Sequence, residues 1–103
     1  MNAVEKKLLF IVNPRAGKTK SRAPLFDAVS IFSKAGYLVR VAETRRHGDA
    51  TELAERFGGD FDLVVCHGGD GTLNEVITGL VSGGWDIPIG YIPSGSTNDF
   101  ASS

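Results

Sequence analysis

The run Val64-Val65-Cys66-His67-Gly68-Gly69-Asp70-Gly71-Thr72-Leu73-Asn74-Glu75 carries an apolar strand straight into three glycines, an aspartate and a helix start. Glycine brings main-chain N–H groups close to an anion with no Cβ in the way. The helix N-terminus adds unpaired donors and about half a positive charge. Phosphate is the anion this arrangement suits, and a nucleotide is the first ligand it suggests. Thr72 and Glu75 also fit a capping box, in which hydroxyl and carboxylate serve the orphan N–H groups of a helix beginning at Thr72. The two readings are compatible, because a turn needs one glycine and three within four residues exceed that need.

Two better-known phosphate motifs fail here. Arg15-Ala16-Gly17-Lys18-Thr19 ends like a P-loop, but Val12 stands where that motif requires its first glycine. The dinucleotide pattern G-x-G-x-x-G begins at Gly69 and Gly71 and then meets Asn74 in place of its third glycine, which disfavours an ordinary NAD-binding fold.

The segments that must position these residues are short. Leu8–Val12, Tyr37–Val41, Leu63–Cys66 and Ile87–Ile92 are apolar and rich in β-branched side chains, as buried strands are. Between them lie three helical patterns. Arg22 to Ala35 carries Leu25, Ala28, Val29 and Phe32 on one face and stops at Gly36. Asp49 to Phe57 stops at Gly58-Gly59, and a third helix from Thr72 carries Leu73, Val76, Ile77 and Leu80 until Ser82-Gly83-Gly84. The order βαβαβαβ predicts an α/β fold: a three-layer open sheet, mostly parallel, with right-handed crossovers.

In such sheets ligands bind beyond the carboxyl ends of the strands. The residues following the strands there are Asn13-Pro14-Arg15-Ala16-Gly17, Glu43-Thr44-Arg45-Arg46-His47-Gly48, His67 to Thr72, and Pro93-Ser94-Gly95-Ser96-Thr97-Asn98-Asp99. All four loops carry small, hydroxyl, amide or charged groups, whereas the opposite edge has plain Gly and Asp turns. This asymmetry supports a site at that edge independently of the glycines. Ser96 and Asp99 could cap a further helix beginning as the chain ends.

Composition narrows the partners. The chain has 103 residues, 42% hydrophobic and 22% charged, with a formal net charge of −1. That size allows one domain, and that charge gives no general attraction to nucleic acid or to an anionic membrane. No apolar run approaches the ~20 residues of a spanning helix, and the N-terminus lacks a signal-peptide core, so a cytoplasmic protein is expected. Cys66 is the only cysteine, which excludes an internal disulfide and fits a small core residue. With His47 and His67 as the only histidines, a transition-metal site is not expected.

Three groups of residues together resemble the N-terminal domain of the diacylglycerol kinase catalytic-domain family, which includes bacterial lipid kinases and the sphingosine and ceramide kinases. They are Asn13-Pro14 with Gly17, then Gly68-Gly69-Asp70-Gly71-Thr72 with Asn74-Glu75, then Pro93-x-Gly95 with Asn98-Asp99-Phe100-Ala101. The middle group alone is shared with NAD kinases and phosphofructokinases, whose N-terminal domains have the same layered fold. The resemblance implies that residues 1–103 are the ATP-binding domain of a lipid kinase that transfers the γ-phosphate of ATP to a lipid hydroxyl in phospholipid metabolism. It also implies a second, β-rich domain, absent from this chain, that holds the catalytic carboxylate and a structural magnesium site. No catalytic residue is therefore expected within 1–103, and this segment alone is expected to be inactive.

By matching position the resemblance assigns ATP contacts to Thr44, to Gly69, Asp70, Gly71, Thr72, Leu73, Asn74 and Glu75, and to Ser96; Gly68 and Gly95 are expected beside them, and Asn13 and Asn98 are expected to shape the pocket through side-chain hydrogen bonds. Family members usually carry threonine where Ser96 stands. Asp70 and Asp99 would repel phosphate, so Mg2+ or its water shell is their expected partner. Arg15, Lys18, Lys20, Arg45 and Arg46 flank two of the loops and could attract phosphate or anionic headgroups. The implied partners are ATP and a neutral lipid alcohol at the membrane surface, with peripheral attachment there, and an exposed sheet edge would favour pairing of two chains. Two rival readings are a kinase of the same nucleotide-domain type acting on NAD or a sugar phosphate, and a non-catalytic nucleotide-binding module.

Overall fold

A computed structural model describes residues 5–15 and 23–94. Strands β1 (Lys6–Val12), β2 (Tyr37–Glu43), β3 (Leu63–Gly68) and β4 (Ile89–Pro93) alternate with helices α1 (Ala23–Lys34), α2 (Asp49–Phe57) and α3 (Asp70–Gly83). The four strands form one sheet in the order β2-β1-β3-β4, and every neighbouring pair is parallel.

The sheet has helices on both faces because both faces of its central strands are apolar. Leu8, Phe10 and Val12 of β1 and Val65 of β3 point toward Leu25, Ala28, Val29 and Phe32 of α1. Phe10 and Phe32 meet edge to face, with centroids 5.4 Å apart and planes at 89°. Leu9, Ile11, Val64 and Cys66 point the other way, onto Ala50 and Ala54 of α2 and Val76 and Leu80 of α3. Phe10 is fully buried, so truncating it to alanine should cost about 3–5 kcal/mol.

The helices change faces between the first and second crossovers. Strand β2 lies on one side of β1 and β3 on the other, so the chain's direction of growth reverses at β1. The carboxyl ends of β1 and β3 therefore flank a crevice that no crossover connection covers, the usual ligand position in open α/β sheets. Hydrogen bonding continues past the strands at this edge. Thr44 N–H donates to Val12 O at 2.8 Å, Asn13 N–H to His67 O at 2.9 Å, and Ser94 N–H to Gly68 O at 3.1 Å.

Helix α2 has the bounds the sequence predicts, but other elements differ. Strand β1 starts at Lys6, where Lys6 and Lys7 pair with Tyr37 and Leu38, because ladder formation uses main-chain groups and tolerates charged side chains. Strand β4 starts at Ile89 and not at Ile87, since Pro88 has no N–H to donate; its carbonyl still accepts from Val64 N–H at 3.1 Å. The largest difference is at α3, which starts at Asp70 with Gly69 as its N-cap and has no side-chain cap. The capping box expected at Thr72 does not form. Both of its side chains bond to other parts of the fold instead.

Candidate functional site

The crevice opens into a cavity of about 400 Å³ lined by Asn13, Arg15, Thr44, Arg45, Arg46, His47, Ala50, Gly69, Gly71, Thr72, Glu75 and Ser94. The lining comes from the ends of β1 and β2, from the start of α2, from the first turns of α3 and from the end of β4. One wall is the β3–α3 turn. Gly69 is extended, with φ −89° and ψ −175°, and the helix begins at the next residue. The first turn of a helix has no intrahelical acceptors for its N–H groups; the first bond back is from Leu73 N–H to Gly69 O at 3.2 Å. Among the described residues, no atom lies within 4 Å of a Cβ built on Gly69 or on Gly71. A side chain at either position would therefore enter open space, and both glycines line the cavity.

Gly68 differs from these two glycines. A Cβ there would stand 2.6 Å from Thr72 Oγ1, so its hydrogen lets α3 sit directly on the end of the strand. Thr72 is 7% exposed, and its hydroxyl accepts from Asn13 Nδ2 at 3.2 Å. Asn13 Oδ1 in turn accepts from Arg15 N–H at 3.0 Å. One asparagine thus links the loop after β1 to the first turn of α3.

The opposite wall is the loop from β2 to α2, which is held by carboxylates. Asp49 Oδ2 accepts from the N–H groups of Arg45 at 2.7 Å and Arg46 at 3.1 Å. These backbone bonds, that of Arg45 first, outweigh desolvation and lower the Asp49 pKa from its ordinary 3.8. Gly48 caps α2 at φ +93°, a conformation that glycine adopts without strain. Its N–H donates to Glu75 Oε1 at 3.2 Å, and His47 Nδ1 lies 3.1 Å from Glu75 Oε2. Thr44 is buried, while Arg45, Arg46 and His47 are exposed.

The structure brings together Asn13, Thr44, Gly69, Gly71, Thr72 and Glu75 at the cavity, with Gly68 packed beneath them. Other expected positions lie elsewhere. Leu73 packs against the core cluster, and Asn74 is exposed, its carbonyl accepting from Thr78 Oγ1 at 2.8 Å. Asp70 is exposed and accepts from Tyr91 O–H at 3.2 Å; burial, followed by this bond to Asp70, raises the Tyr91 pKa above 10.0. Lys18, Lys20, Gly95, Ser96, Asn98 and Asp99 lie outside the described residues. Among the described residues no group of three or more His, Cys, Asp or Glu could hold a metal ion, and no helix is long and apolar enough to cross a membrane.

The sequence placed Ser94 in a loop at this edge but not the state of its hydroxyl, and it did not single out Ala50. Ser94 lines the cavity, and its buried Oγ has no hydrogen-bond partner among the described residues. Ala50 floors it, and only its small size at the start of a helix hinted at that. Cys66 is fully buried, as expected, and burial pushes its thiol up to about 11. His67 Nδ1 is buried without a partner among the described residues, and desolvation lowers its pKa from 6.5.

The model of the diacylglycerol kinase catalytic domain matches residues 7–103. A diacylglycerol kinase of Staphylococcus epidermidis is 41% identical over 98 residues, covering 94% of this chain and 31% of the relative. One from Staphylococcus haemolyticus is 42% identical over 91 residues, covering 87% and 28%. A crystal structure of a diacylglycerol kinase from Bacillus anthracis superposes with a TM-score of 0.79 at 34% identity, covering 95% of this chain and 36% of that one. The chain thus spans about a third of the length of the relatives it matches.

Proposed function

Since the chain belongs to the diacylglycerol kinase catalytic-domain family, we propose that it forms the ATP-binding domain of a lipid kinase. The phosphates of ATP rest on the N–H groups that open α3. The observation that carries this reading is the free space beside Gly69 and Gly71, facing a cavity of about 400 Å³.

Phosphoryl transfer depends on positioning and charge neutralisation more than on covalent work by the protein. The amides of Asp70, Gly71 and Thr72 supply fixed donors aligned with the positive end of α3. Arg15, Arg45 and Arg46 line the same cavity and offset phosphate charge without occupying the amide wall. Ser94 lines the β4 side, and its hydroxyl has no partner among the described residues.

The donor set present suits Mg2+ in one respect. Mg2+ keeps most of its waters and takes one or two carboxylates plus phosphate oxygens, and Asp70 is an exposed carboxylate on the first residue of α3, outside the cavity lining and bonded to Tyr91 O–H but flanked by the lining residues Gly69 and Gly71. Asp70 would hold the ion or its water shell, with Asp99 as the second candidate. Bound there, Mg2+ would neutralise charge on the phosphates. The acceptor is a neutral lipid alcohol, and the family resemblance assigns the base that activates it to a domain beyond residue 103.

Calorimetric titration with ATP, with and without Mg2+, tests the binding step. Assay of the full-length protein with diacylglycerol and with NAD tests the acceptor. Phosphorylated diacylglycerol is the expected product. ATP binding without transfer to any alcohol would leave a nucleotide-binding module, and transfer to NAD alone would overturn the lipid assignment.

A further inference from the structure

Glu75 belongs to the motif whose residues the family resemblance assigns to ATP, yet both of its carboxylate oxygens face protein groups. Oε1 accepts from Gly48 N–H at 3.2 Å and Oε2 lies 3.1 Å from His47 Nδ1. The main chain of the same residue is engaged as well, since Thr51 Oγ1 donates to Glu75 O at 3.0 Å. Glu75 therefore holds the start of α2 from two directions. The helices approach closely enough for this because Gly79 lies against Thr51 and Ala54, where a Cβ would clash with backbone.

The cavity's electrostatics point the same way. Among the described residues, Glu75 is the one carboxylate in a lining that includes Arg15, Arg45 and Arg46. A carboxylate aimed at a phosphate would be repelled by it, whereas one that accepts from a main-chain N–H is held aside and partly neutralised. Asp49 ties the amides of Arg45 and Arg46 to their own helix. Glu75 ties the loop to the neighbouring helix, the one that opens with the amide wall.

We propose that Glu75 is a positioning residue: a strut from α3 to the β2–α2 loop that sets the gap between the amide wall and the guanidinium rim. It acts on nucleotide affinity and not on the transfer step. This rests on the ATP reading above, and its test separates the two.

Glu75→Ala and Glu75→Gln are compared in the full-length protein by hydrogen exchange at the Gly48 amide and by steady-state kinetics in ATP. Glutamine keeps a carbonyl oxygen for Gly48 N–H, so its amide protection and KM should remain within about threefold of wild type. Alanine removes the acceptor. Exchange at Gly48 should then rise by about 10-fold and KM for ATP by a similar factor, with kcat within about twofold, as expected for the loss of one charge-assisted hydrogen bond.

If kcat collapses equally in both Glu75 variants while Gly48 stays protected, Glu75 is a ligand and the strut is wrong. If the wild type binds no ATP while alanine still exposes Gly48, the strut stands and the nucleotide reading falls.

Discussion

The β3–α3 turn and the β2–α2 loop face each other across one cavity and treat their main-chain donors in opposite ways. In the turn, the amides of Asp70, Gly71 and Thr72 belong to the first turn of a helix, which has no intrahelical acceptors for them, and among the described residues nothing stands where a side chain on Gly69 or Gly71 would go. In the loop, the amides of Arg45, Arg46 and Gly48 are all taken by carboxylates. The first wall can offer its backbone to an anion, while the second has used its backbone to fix its own shape and can offer only side chains. A glycine-rich sequence therefore does not by itself define an anion site. What matters is whether its donors are already occupied, and Gly48 is a glycine whose donor is.

The most severe way to break this contrast is to fill the open wall. Gly71→Val puts a side chain into the space before the amides, and kcat/KM for ATP in the full-length protein should fall by at least about 100-fold, as for other small misplacements at a reacting group. Gly71 is exposed within a helix, so the melting temperature should stay the same or rise. Wild-type turnover in that variant would remove the basis of the site.

Gly79→Ala attacks the packing that sets the two walls apart. Its Cβ would press on Thr51 and Ala54 of α2, and denaturant unfolding should show a loss of about 1–3 kcal/mol. Removing both guanidinium groups, Arg45→Ala with Arg46→Ala, tests the side-chain wall. Affinity for ATP should drop several-fold at low salt, and the difference from wild type should shrink at about 1 M salt, where exposed charges are screened.

Acidification gives the smallest effects, and in a definite order. The folded state lowers the His67 pKa from 6.5 by burial, so it favours the neutral ring. The resulting stability is complete above pH 6.5 and is lost as pH falls from there through the lowered folded value. Asp49 is lowered from 3.8 by its backbone bonds; its contribution is present above that pH and is lost only at stronger acid. Melting curves from pH 8 to 3 should decline first through His67, and His67→Leu should flatten that first decline while leaving the second.

Sequence patterns revealed much of this architecture because they report local choices. The apolar run Leu8–Val12 is continuous since both faces of β1 are covered, and α2 begins at Asp49 and ends at Phe57 where acidic and glycine signals mark it. The start of α3 was misread because Thr72 and Glu75 have capping chemistry but spend it on Asn13 and Gly48, residues 59 and 27 positions away. No spacing rule detects such pairings. The same blindness hid Ala50, which reaches the cavity through helix placement. Leu73 and Asn74 fall within the motif, yet one faces the core and the other solvent, because adjacent residues of a helix point in different directions.

The three backbone bonds that outlast the strands, at Thr44, Asn13 and Ser94, stitch the rim of the cavity with atoms every residue but proline possesses. New side chains can therefore change the chemistry of the mouth while its outline stays unchanged. Proline at position 44 or 94 is the substitution that would unpick a stitch.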